Sequence, residues 1–135
     1  MLETDFRATG KPILSIERAQ DALAHLNELT DAEQIELLVA VANAERKPEA
    51  EDGAENHHWA RGDLAKLDAW MWKEFPKPLY EGLVVKRNAA WTEWLAERMK
   101  RPGTMLLAVG AGHLSGPDSV QKMLKVRGIE AKRVQ

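Results

Sequence analysis

The sequence predicts an α/β fold, rich in helix, with a small, largely parallel sheet that closes in a βαβ unit. Three observations carry that expectation. Residues 104–109, Thr-Met-Leu-Leu-Ala-Val, form a continuous apolar run bounded by glycines, the pattern of a strand buried on both faces. A glycine loop, a helical segment and the short run Ile-Glu-Ala-Lys-Arg-Val at 129–134 follow, and strand, loop, helix and strand in that order imply parallel strands with a right-handed crossover. A β-leaning run, Lys-Pro-Ile-Leu-Ser-Ile-Glu at 11–17, supplies an earlier strand that ends at Glu17.

Between these runs the chain is helical. Ala19, Ala22, Leu23, Leu26 and Leu29 share one stripe, so residues 18–29 read as an amphipathic helix. Thr30 and Glu33 form a capping box that opens the next helix, and Ile35, Leu38, Val39 and Ala42 are expected to face the core. Residues 45–60 hold Pro48, Gly53 and many acids, the composition of a mobile surface loop. Helices resume after Gly62, stop at Pro76 and Pro78, and restart through residues 79–100. Four of the five tryptophans fall in this part. Trp91 and Leu95 share a face, as do Trp70 and Glu74, which places some tryptophans in the core and others at its margin. Pro117 suits the first turn of a last helix that Gly128 terminates.

The whole, residues 1–135, suits one domain or a half-domain. A net charge of -2 gives no pull toward nucleic acid, and the basic residues from Lys122 to Arg133 lack interleaved aromatics, which leaves them as a solvated face. No apolar stretch approaches the ~20 residues of a membrane span. With no cysteine there are no disulfides, thiolate metal sites or cysteine nucleophiles, so a metal would take His, Asp or Glu. No secretory leader is visible at the start of the sequence, which leaves the compartment open.

The most informative stretch is Gly110-Ala111-Gly112-His113-Leu114-Ser115-Gly116. It lies after a predicted strand and before a helix, where open α/β sheets bind ligands, and the glycines permit close approach to His113. A histidine that merely satisfies a turn is an equal competitor. Gly110, Gly112 and Gly116 also spell G-x-G-x-x-x-G with Glu130 downstream, a near-match to a dinucleotide fingerprint that lacks the further strands such a site needs. Glu17, at another strand end, could face His113 as a base or a ligand, or interact with the dipole of the following helix. Arg87 and Asn88 pair a planar donor with an amide, suited to a substrate carboxylate, to holding the loop, or to a solvated surface. His57 and His58 read as an exposed pair and His25 as a helix-margin histidine. Ser115 stands in no G-x-S-x-G elbow and has no evident partner.

These residues also carry a likeness. Residues 84–134, with Arg87-Asn88, the apolar run, Gly110-x-x-His113, Leu114, Gly116 and a Gly128-led closing run, resemble the C-terminal part of the TraB/GumN family, related to the TIKI metalloproteases. Residues 10–29, in which a lysine-led run ends in Glu17, are similar to that family's middle region. The resemblance implies a mainly helical α/β fold around a small sheet and, for proteolytic members, a divalent-metal hydrolase with two G-x-x-H motifs. It implies that His113 binds the metal (manganese, cobalt or zinc), that Glu17 is a supporting acid, and that Arg87 and Asn88 are structural or substrate-side. Gly110, Gly112 and Gly116 are expected, like Arg87 and Asn88, to be structural or substrate-binding. It further implies a peptide or protein substrate, relatives that are often exported, and a first G-x-x-H half supplied by a missing N-terminal part or by a second chain. The contrasting expectation is a non-catalytic module of the same fold that associates with itself.

Overall fold

The computed structural model describes residues 2–44, 54–72 and 75–134. The helices are α1 (Leu2–Ala8), α2 (Ala19–Asn27), α3 (Asp31–Ala44), α4 (Ala54–Ala60), α5 (Leu64–Trp72), α6 (Lys77–Tyr80), α7 (Arg87–Met99) and α8 (Val120–Val126). A π-helical stretch, Glu81–Lys86, joins α6 to α7, and a 3₁₀ turn, Ala111–Leu114, lies between α7 and α8. Of the acidic segment, residues 54–60 form α4 and residues 45–53 lie outside the described residues, as does Glu74 of the expected Trp70–Glu74 pair.

Local chemistry explains several of these boundaries. The capping box forms at α3: the Thr30 backbone N–H donates to Glu33 Oε2 at 2.7 Å, and the Glu33 N–H donates to Thr30 Oγ1 at 3.4 Å. Gly128 ends α8 at φ +78, where its N–H reaches the Lys125 carbonyl and the Ile129 N–H reaches Leu124. That pair of bonds is a Schellman motif, and glycine supplies the left-handed residue it requires. α8 begins later than Pro117 suggested, because Ser119 is still extended and serves as its N-cap residue.

The α/β expectation is overturned, together with the fold that the resemblance implied. Among the described residues there is no strand and no sheet, hence no parallel pair and no βαβ unit. The three apolar runs do converge on one core: Ile16, Leu107, Val109 and Ile129 pack against Trp91, Leu95, Val120 and Leu124. No backbone hydrogen bond joins any two of these runs among the described residues. An apolar run records a demand for burial, and helices can meet that demand as well as a neighbouring strand does. The 104–109 run meets it on one face, since Leu107 and Val109 pack inward while Leu106 remains 57% exposed.

The α3 stripe is also corrected. Ile35, Leu38 and Val39 are exposed among the described residues, and the stripe covers no core there. By contrast Trp91 and Leu95 are both buried and Trp94 sits at the margin. The π-helical stretch was not foreseen. It contains Gly82, where a Cβ would stand 3.2 Å from His25 Cβ, so glycine lets α2 pack closely on the α6–α7 rod.

Candidate functional site

One rod presents most of the site. Val84, Asn88, Trp91 and Leu95 recur at helical spacing and are all buried, so Asn88 is a polar group on an otherwise apolar stripe. Burial of an amide is tolerated when its donors and acceptor are all matched. Asn88 Nδ2 donates to the Asp118 carbonyl at 2.7 Å and to the His113 carbonyl at 3.4 Å, while Oδ1 lies 2.7 Å from His113 Nδ1.

That network assigns the histidine's proton. The two carbonyl contacts orient the amide with its nitrogen toward them, so Oδ1 faces the ring, and an amide oxygen can only accept. Nδ1 must therefore carry the hydrogen, and in the neutral ring Nε2 keeps the lone pair. Burial, and then the Arg87 charge, lower the His113 pKa from its usual 6.5, against an opposing pull from Glu17. The indole of Trp91 packs on the imidazole, with ring centroids 4.4 Å apart and planes at 46°.

Glu17 reaches this cluster from a bend ahead of α2. Its carboxylate is gripped by two guanidinium nitrogens: Arg87 Nε donates to Oε2 at 3.0 Å and Nη2 donates to Oε1. The Trp91 indole N–H adds a bond to Oε2 at 3.1 Å. Arg87 Nη1 donates to the Leu83 carbonyl at 3.0 Å, and the guanidinium carbon lies 5.0 Å from the Trp91 ring. Burial alone would raise the Glu17 carboxyl, but Arg87, with the Trp91 N–H, outweighs it and holds the group below the usual carboxylate range.

Glu17, Arg87, Asn88 and His113 are thus brought together around Trp91. The glycines behave differently from one another. Gly110 is extended at φ -61 and its carbonyl accepts the His113 N–H, which forms the 3₁₀ turn. Gly112 has no positive φ, whereas Gly116, at φ +76, depends on being glycine. The dinucleotide geometry does not form, because no strand precedes the loop among the described residues and α8 starts only at Val120. His57 and His58 lie on α4, remote in sequence from this site, with His57 Nε2 near Arg61 at 3.3 Å. His25 is on α2, 3.4 Å from Glu28.

A sequence model of the TraB/PrgY/gumN family matches residues 1–133. The chain belongs to that family. Comparison with curated proteins and with solved structures found no match. The match embraces every residue of the Glu17–Arg87–Asn88–His113 cluster, so the TraB/PrgY/gumN assignment and the geometry concern the same part of the molecule. Sequence reasoning missed Trp91 as a site residue, although Arg87 and Trp91 are i,i+4 neighbours on one helix. It gave Ser115 no partner, which the structure corrects with Asp68, and it missed Asp68, Tyr80 and Asp118. Ser115 Oγ donates to Asp68 Oδ1 at 3.3 Å and Tyr80 Oη donates to Asp118 Oδ2 at 3.0 Å, contacts across 47 and 38 residues that no local pattern announces.

Both titrations act in one direction. The folded His113 pKa is depressed, so its contribution to stability is complete above the usual 6.5 and declines as pH falls below it. The Glu17 contribution is present above the usual 4.5 and is lost as pH falls through the folded value. Melting temperature should fall on acidification from pH 7, first through His113 and then through Glu17. The His113→Gln variant should lose the first part of that decline. Superimposable melting profiles of wild type and variant between pH 7 and 5 would refute it.

Proposed function

We propose that this chain carries a histidine site of a hydrolytic centre acting on a peptide-like acyl substrate, with His113 Nε2 as its reactive atom. The observation that carries this reading is the Asn88 Oδ1 to His113 Nδ1 contact, which leaves Nε2 as an unprotonated base at neutral pH. Nε2 makes no hydrogen bond to any described residue. A base so placed can take a proton from an attacking water, an effect worth about 10²–10⁴ in rate. Glu17 orients rather than accepts: through Arg87 and Trp91 it fixes the face against which the imidazole rests.

A divalent metal such as manganese, cobalt or zinc does not fit on these residues alone. Catalytic metals take about three protein ligands. Among the described residues no group of three His, Asp or Glu side chains is placed to hold one. His113 Nε2 offers one donor, and both Glu17 oxygens are engaged by Arg87 and Trp91.

The test is hydrolysis of an activated peptide ester by wild type and His113→Ala, with and without added manganese, cobalt or zinc, with melting curves taken in parallel. The expected result is a loss of about 100-fold or more in the variant, as for removal of a positioned base. Equal rates in the two proteins would sink the hydrolytic reading, and equal metal-induced shifts in melting temperature would remove His113 as a metal donor.

A second reading rests on a separate observation. The backbone of 104–109 makes no hydrogen bond to the described residues, and Leu106, Ile13 and Leu14 are exposed. A run whose backbone groups are unpaired among the described residues and whose side chains are apolar is suited to pairing with another copy. A monomeric mass in solution that does not change with concentration would eliminate it. No helix among the described residues is long and apolar enough to cross a membrane.

A further inference from the structure

We infer that Asp68 and Tyr80 are positioning residues that clamp the Ser115–Asp118 loop, so that Asn88 meets His113 in the single geometry that leaves Nε2 free. The inference rests on the hydrolytic reading for its purpose, though not for its geometry. The loop between the 3₁₀ turn and α8 has no regular structure of its own, yet Ser115 is 3% exposed and Ser119 is fully buried. Three elements hold it. From α5, Asp68 accepts the Ser115 hydroxyl at 3.3 Å, and the Gly116 backbone lies directly on the same carboxylate: a Cβ at 116 would stand 2.5 Å from Asp68 Oδ1. At the end of α6, Tyr80 donates to the Asp118 carboxylate at 3.0 Å. From α7, Asn88 donates to the carbonyl of that same Asp118.

Asp118 is therefore the joint. Its side chain is fixed by Tyr80 and its carbonyl orients the Asn88 amide, whose oxygen then selects the His113 tautomer. Burial and the Asp118 charge push the Tyr80 hydroxyl pKa up to about 12, so the phenol remains a donor across the neutral range. Without the clamp, Asp118 is free to turn and the Asn88 amide can flip. A flipped amide presents N–H to the ring, and His113 answers by moving its proton to Nε2, which removes the base.

The experiment is a long-range proton–nitrogen NMR spectrum of the His113 ring in wild type, Tyr80→Phe, Asp68→Ala and Asp118→Asn. Acylation of His113 by diethylpyrocarbonate is measured by mass spectrometry alongside. Wild type is expected to show the Nδ1–H form alone. Tyr80→Phe and Asp68→Ala should populate the Nε2–H form and slow acylation by about three- to tenfold, the factor that one hydrogen bond of ordinary strength supports. Asp118→Asn keeps an oxygen for Tyr80 and should retain the wild-type tautomer. A purely structural role would lower melting temperature while leaving the tautomer of the folded molecules unchanged, and that outcome overturns the inference. Asp68 is only partly buried, so Asp68→Ala decides the matter even if Tyr80→Phe does not fold. Failure of the hydrolytic reading is separately visible: the tautomer would respond as expected in a protein without peptide-ester activity.

Discussion

Asn88→Ala should cost about 3 kcal/mol of stability, because two part-buried carbonyls and a ring N–H lose their partner together, and leaving a fully buried group unsatisfied carries roughly 1–3 kcal/mol. The carbonyls are those of Asp118 and His113 and the ring atom is His113 Nδ1, all gathered on an amide with no exposed surface. The same change should release the His113 tautomer, so activity in the peptide-ester assay would fall even where the protein remains folded. Chemical denaturation gives the stability and single-temperature rates give the function. A loss under 1 kcal/mol would mean that the network holds neither the loop nor the ring.

Replacing Arg87 by methionine has the second large effect. The substitution leaves Glu17 with the Trp91 N–H as its remaining partner in a pocket where its side chain is 22% exposed. Breaking a buried pair from one side costs about 3–5 kcal/mol, and the residual exposure here brings the expected loss to roughly 2–3 kcal/mol. Removing both charges should be milder. Glu17→Leu combined with Arg87→Met takes away the stranded carboxylate, so the double variant is expected to be more stable than Arg87→Met alone, as buried pairs replaced by apolar groups often are. A double variant as unstable as the sum of the singles would show that Glu17 and Arg87 act independently and that their pairing contributes no coupling energy.

Much of the site could be read from the linear pattern, and its wiring could not. His113 was marked by its flanking glycines, and Asn88 by standing beside Arg87 as an amide next to a planar donor. Whether Arg87 and Asn88 were a surface pair or an interior one depended on what arrived from elsewhere. Glu17 comes from seventy residues away, and it converts Arg87 from a solvated cation into half of a bidentate pair. Asp68 and Tyr80 carry no motif at all; their importance lies in which loop they reach.

The elements that the sequence determined by itself are those whose hydrogen bonds close within a few residues: the Thr30–Glu33 box and the Gly128 stop, each complete inside one helical turn or its cap. Only tertiary structure decided the fate of the apolar runs at 11–17, 104–109 and 129–134. Such a run states how much surface must leave water but not what will cover it, and here α7 and α8 cover one face while no ladder forms among the described residues. Strand pairing needs two distant backbones to come within hydrogen-bonding reach, and that is a property of the assembled chain, as is the meeting of Glu17, Asn88 and His113 around Trp91.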